Sequence, residues 1–105
     1  MITLNESSLR SSMHGKFLLV QFGADWCSPC KIMKRNLGGL ERQIKTESMR
    51  FGYVDTDKHP LLEERYMVES IPTIVLFKSG VEIGRFEGCR RGDDVRKFIG
   101  ECLQK

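Results

Sequence analysis

No apolar run of the chain approaches the roughly 18 residues that a bilayer-spanning helix requires. The longest, Phe17–Val20 and Ile74–Phe77, are the size of strands, so a spanning helix is excluded. The amino terminus, Met1-Ile2-Thr3-Leu4-Asn5-Glu6, lacks the basic segment, apolar segment and small-residue cleavage site of a secretory signal, and the expected compartment is the cytoplasm. An excess of charge of one sign is also nearly lacking. Seventeen basic side chains, 17 against 14 acidic, give a net charge of +3, and no basic cluster is longer than Lys34-Arg35 or Arg90-Arg91, so nucleic acid is not an expected partner. Histidine is limited to His14 and His59, which stand alone in loops and suit neither a ligand nor a base. Three Pro and ten Gly are too few for a disordered chain, and four Cys too few for a disulfide scaffold. There is no internal repeat and no low-complexity linker. What is present, 40% hydrophobic and 30% charged residues over 105 positions, is the balance of a single globular domain spanning 1–105, expected to be a monomer.

The apolar residues are ordered in alternating periods. Ile2–Leu4 reads as a short strand, followed by an N-cap at Asn5 and a helix over about 6–13, closed by His14-Gly15. Phe17 to Phe22 is apolar at nearly every position, which suits a central strand covered on both faces. After Cys30, the residues Ile32, Met33, Leu37, Leu40 and Ile44 recur near a 3.6-residue period, with Lys34, Arg35, Glu41 and Lys45 opposite, and predict a long amphipathic helix. Gly38-Gly39 inside it predicts a bend or break. Arg50–Val54 reads as a second core strand, and Pro60 as the first turn of a helix carrying Leu61, Leu62, Tyr66 and Met67. Thr73–Phe77 is a strand, Lys78-Ser79-Gly80 a hairpin turn, and Val81–Glu87 a strand whose phase switches at Gly84, as a bulge would place it. Val95, Phe98, Ile99, Cys102 and Leu103 form the stripe of a last helix introduced by Asp93 and Asp94. The order β-α-β-α-β-α-β-β-α predicts an α/β fold, a mixed sheet with helices on both faces.

The chemistry concentrates at Cys27-Ser28-Pro29-Cys30, where the central strand ends and the long helix begins. A thiol at a helix N-terminus faces unsatisfied N–H groups and the positive end of the helix dipole, which stabilise a thiolate. Cys27 is the candidate nucleophile. Cys30, one turn on, can reach back to it and resolve a mixed disulfide, while Pro29 gives first-turn geometry without wasting a donor. Buried structural thiols are the blander reading. A zinc site needs four ligands, and Cys89 and Cys102 supply neither the spacing nor a paired His, so no metal is expected.

In Phe22-Gly23-Ala24-Asp25-Trp26-Cys27-Ser28-Pro29-Cys30-Lys31, and again in Ile71-Pro72-Thr73, the chain resembles the thioredoxin family, over essentially its whole length. The resemblance implies a thioredoxin fold and thiol-disulfide oxidoreductase activity through Cys27 and Cys30, supported by Trp26, Ser28, Pro29 and Lys31. It implies that Pro72 is the cis-proline beside the disulfide. It also implies that Trp26, Ile71, Pro72 and Gly88 contact the substrate, with main-chain pairing beside Ile71. Disulfide-containing proteins are then the substrates and a thioredoxin reductase the electron donor, with no bound cofactor.

Three departures from the family stand out. Gln21 occupies the central-strand position where typical members bury an aspartate that helps take the proton from the resolving thiol, and glutamine cannot accept it. A hydrogen-bonded core amide is the alternative reading of Gln21. Ser28 replaces a glycine in the turn where such proteins tune thiolate stability. Glu87 and Cys89 flank Gly88, followed by Arg90-Arg91, which leaves two readings of Cys89, a redox-regulatory thiol and a passive small side chain. Cys102, on the apolar stripe, is expected in the core. Two other functions remain open on sequence: a docking module in which the cysteines only shape the loop, and a disulfide oxidase or isomerase with a retuned potential.

Overall fold

The computed structural model describes residues 1–14, 17–44 and 48–104. Along them the elements are β1 (Ile2–Thr3), α1 (Glu6–Ser12), β2 (Phe17–Gly23), α2 (Ser28–Gln43), β3 (Met49–Asp55), α3 (Pro60–Arg65), β4 (Thr73–Lys78), β5 (Val81–Glu87) and α4 (Gly92–Leu103). The α/β order is the one expected from the sequence. Gly15 and Lys45, which the sequence reading placed at the close of the first helix and on the polar face of the long one, lie outside the described residues.

The sheet order is β1-β3-β2-β4-β5. β3 runs parallel to both β1 and β2, whereas β4 is antiparallel to β2 and β5 to β4, so the sheet is mixed. β2 lies at its centre. Successive side chains of a strand point to opposite faces, and the two core clusters follow that alternation. Leu19 and Phe51 pack with Met33, Leu37 and Leu40 of α2 and with Val95 and Ile99 of α4. Leu18, Val20, Phe22 and Val54 pack with Leu9 of α1 and Leu62 of α3 on the other face. Gln21 shares the phase of Leu19, and Tyr53 that of Phe51, so both belong to the face that α2 covers.

Local chemistry accounts for the element ends. Asn5 and Ser8 form a reciprocal capping box, Ser8 N donating to Asn5 Oδ1 at 2.9 Å and Asn5 N to Ser8 Oγ at 2.8 Å. Ser79 and Gly80 have φ of 49° and 86°, the two left-handed residues of a tight hairpin turn between paired Lys78 and Val81. Leu76 pairs with Gly84 but Phe77 with Glu82, which leaves Ile83 as the extra residue of a bulge beside Gly84. Gly84 also meets α4. A Cβ there would collide with Cys102 Sγ and lie 3.3 Å from the Phe98 ring.

Several local expectations are corrected. α2 runs unbroken through Gly38-Gly39. Two glycines cost about 1 kcal/mol each, less than burying Cys30, Met33, Leu37 and Leu40 along one face returns. Ile32 and Leu103 are about half exposed, at the margins of their stripes, and Ile44 is the C-cap of α2. α3 ends at Arg65, only Leu62 of it is buried, and Leu61 and Met67 are exposed, Met67 with a left-handed φ of 52°. Among the described residues no helix is long and apolar enough to cross a membrane.

Candidate active site

β2 delivers the chain to the start of α2, and the end of β2 is pinned by Thr56, whose backbone N and Oγ1 both donate to Gly23 O, at 2.9 and 3.2 Å. Cys27 is the N-cap residue of α2, and Pro29 sits in the first turn. Cys27 Sγ accepts the Cys30 N–H at 3.2 Å, so an otherwise orphaned helix donor points at the sulfur. Cys27 and Cys30 form a disulfide with Cα atoms 5.2 Å apart, within the usual span. Both residues are buried, Cys27 at 4% exposure and Cys30 at 1%. Ser28, Pro29 and Lys31 are exposed around them.

Two loops complete the rim. The Ile71-Pro72 bond is cis, Pro72 is buried, and Ile71 is half-buried with its carbonyl oxygen 4.0 Å from Cys27 Sγ. Gly88, at φ 88°, donates its N–H to Pro72 O at 2.9 Å, which joins the end of β5 to the same corner. Ser70 is hydrogen-bonded to Glu87 across these two loops. Trp26 is 70% exposed, and its Nε1 donates to Asp57 Oδ2 at 2.8 Å. Asp57 N in turn donates to Asp55 Oδ1 at 2.9 Å, an Asx-turn that fixes the loop after β3. The contact of Asp57 with Trp26 spans 31 positions and has no local signature.

Beneath the disulfide, Gln21 is fully buried and donates from Nε2 to Cys30 O at 2.8 Å. Its Oε1 is buried without a hydrogen-bond partner, a condition that costs about 1–3 kcal/mol. The other side of Cys30 is polar. A Cβ on Gly23 would lie 3.1 Å from Cys30 Sγ and 3.1 Å from Tyr53 Oη, tight enough that one of them would have to give way by a few tenths of an ångström. Burial first, then the charges of Asp55, Asp25 and Asp57, push the Tyr53 hydroxyl up to about 12. Lys34 Nζ lies 4.2 Å from the centroid of its ring.

The remaining residues are placed as follows. Cys89 is exposed against α2, 3.8 Å from Asn36 Nδ2, which also donates to Arg90 O at 2.9 Å. Arg90 stacks 4.1 Å over the Phe86 ring, while Lys31, Arg35 and Arg91 face solvent. Cys102 is buried in the α4 cluster, as expected. Among the described residues no group of three or more His, Cys, Asp or Glu is gathered to hold a metal ion.

In sequence and in fold the chain is similar to known proteins. The thioredoxin family model matches residues 1–101. A thioredoxin of Chlamydia caviae is 39% identical over 84 residues, 80% of this chain and 80% of that one. A thioredoxin of Chlamydia trachomatis is 33% identical over 93% of this chain and 94% of its own. The X-ray structure of Fasciola hepatica thioredoxin superposes with a TM-score of 0.83 at 28% identity, covering 96% of this chain and 98% of that one.

Proposed function

The chain belongs to the thioredoxin family and is a thiol-disulfide oxidoreductase with protein-disulfide reductase activity, and from that premise we propose how its residues divide the reaction. Cys27 is the attacking thiolate and Cys30 the resolving thiol. The observation that carries this division is the N-cap position of Cys27, where the Cys30 N–H points at its sulfur. Cys27 attacks a substrate disulfide and forms a mixed disulfide, releasing the first substrate thiolate. Cys30 then attacks Cys27, closes the Cys27–Cys30 bond and releases the second substrate sulfur. Two electrons pass from the dithiol to the substrate.

In this reading Trp26, Ile71, Pro72 and Gly88 receive the substrate, the Ile71 carbonyl marking where its backbone pairs. Ser28, Pro29 and Lys31 shape and polarise the turn, and Gln21 supports it from below. Cys89 takes no step in the cycle. Members of the family are reduced by thioredoxin reductase, and for this chain we assign the same class of donor. A cytoplasmic setting suits the exposed thiol of Cys89, which an oxidising compartment would tend to pair. A docking module and a net oxidase or isomerase are not favoured beside thioredoxin relatives that match most of the chain.

The test uses Cys89→Ser as background and a disulfide-bonded protein as substrate. Cys27→Ser abolishes turnover, whereas Cys30→Ser retains the first attack and accumulates a covalent adduct on Cys27, read by mass spectrometry. Residual turnover in Cys27→Ser, or a substrate adduct on Cys30 in that variant, refutes the division. Equilibration with glutathione separates a reductant from an oxidant, since about 30 mV is tenfold in equilibrium.

A further inference from the structure

Once the pair is reduced, resolution requires the Cys30 thiol to lose its proton at a site that is 1% exposed, where burial opposes ionisation. Gln21 lies against the Cys30 carbonyl and cannot take that proton. The polar side of Cys30 offers a different route. A cavity of about 210 Å³ adjoins the sulfur, lined by Ala24, Asp25, Cys30, Lys31, Lys34 and Tyr53. A space of that size, with the side chains of Asp25, Lys31 and Lys34 on its wall, admits water. Tyr53 Oη and Cys30 Sγ each lie 3.1 Å from the point where Gly23 would carry a Cβ, so they share the room that the glycine leaves. The β2–β3 register sets Tyr53 directly beside Gln21 on the same face of the sheet. The groups that bear on this pocket are Asp25, Lys31 and Lys34 on its wall and Asp55 and Asp57, whose charges reach the phenol. The phenol is held up at about 12 and therefore stays a hydrogen-bond donor at neutral pH.

We propose that Tyr53 is a positioning residue for the resolving step, its hydroxyl donating to the Cys30 sulfur directly or through one water of the adjoining cavity, so that a thiolate forms where burial would suppress it. The Cys30 proton passes to a cavity water and out to solvent, and Tyr53 keeps its own. The Cys30 sulfur supplies the electron pair of the new Cys27–Cys30 bond. The bond between Cys27 and the substrate breaks, and its electron pair leaves on the substrate sulfur, which is protonated by solvent. Tyr53 thus substitutes a neutral donor at Cys30 for a proton acceptor.

This inference rests on Cys30 being the resolving thiol, and its test separates the two. In the Cys89→Ser background, single-turnover reduction of a disulfide peptide is followed across pH for the parent, Tyr53→Phe and Cys30→Ser. Tyr53→Phe forms the mixed disulfide at the parental rate but resolves it about tenfold more slowly near neutral pH, and its resolution profile moves about one unit to alkaline pH. An unchanged resolution rate and profile, or equal slowing of both steps, overturns the role of Tyr53. Product release from Cys30→Ser at the parental rate instead overturns the resolving role of Cys30, whatever Tyr53→Phe does. In the unmutated reduced protein, the Tyr53 Cζ resonance follows the ionisation of Cys30 in a carbon NMR titration. A resonance that stays flat through that range likewise refutes the contact.

Discussion

Gln21 gives its amide N–H to the Cys30 carbonyl and leaves Oε1 buried and unmatched. Aspartate at this position exchanges a group that cannot accept a proton for one that can, beside a thiol that must lose one. Gln21→Asp is expected to speed resolution in single-turnover assays by roughly tenfold or more, as a placed base does. The same change buries a carboxyl group and removes the donor to Cys30 O, so chemical denaturation is expected to show a loss of about 1–3 kcal/mol. An unaltered resolution rate would mean that proton removal does not limit the step. Residues whose chemistry is local are legible in the sequence: Cys27 and Cys30 by their spacing at a strand-to-helix corner, Trp26 by its neighbourhood. Tyr53 and Asp57 are not, because the contact of Asp57 with Trp26 joins distant segments, and it is the pairing of β2 with β3 that brings Tyr53 to the corner left open by Gly23. The signal for Tyr53 is its parity, since a strand that buries Phe51 against α2 turns Tyr53 to the same side.

The elements match the sequence pattern where a period or a turn dipeptide decides them, and depart from it where an apolar residue falls at the margin of a helical arc. Ile32 and Leu103 match a 3.6-residue repeat but lie at the edge of the buried stripe, where the repeat alone does not separate core from solvent. The unbroken α2 shows the opposite limit: local glycine propensity yielded to tertiary burial. Gly84 and Gly100 give a matched test of packing between elements. A methyl at Gly84 runs into Cys102 and Phe98 of α4, whereas one at Gly100 meets nothing within 4 Å. Gly84→Ala is expected to lower stability by about 1–3 kcal/mol through overpacking. Gly100→Ala is expected to raise it by about 0.5–1 kcal/mol through helix propensity. Denaturant midpoints check both, and similar midpoints would show that α4 yields freely at Gly84.

At the scale of the whole molecule, Tyr53 ties stability to alkaline pH. Its hydroxyl titrates near 10 in an unfolded chain and is pushed up to about 12 by burial and by Asp55, Asp25 and Asp57 in the fold. The folded state therefore holds the proton more tightly. This contribution is fully present below about pH 10 and is lost as pH rises towards about 12. The parent is expected to lose more stability over that interval than Tyr53→Phe, measured by denaturant titration at each pH. Equal slopes would show that the phenol ionises alike in both states. The mixed sheet and its two helical layers were legible in full, because alternation and periodicity are repeated over many residues and tolerate local errors. The outermost strands of that sheet have a further consequence. β1 offers only two residues to a second chain, and β5 carries a bulge and the exposed charges of Glu82 and Glu87, with Arg85 held to Glu82 at 2.7 Å. Short length, a register fault and outward charge are what keep open β-edges from templating intermolecular ladders, so a protein built to make and break covalent links between chains leaves little backbone for lasting, non-covalent ones.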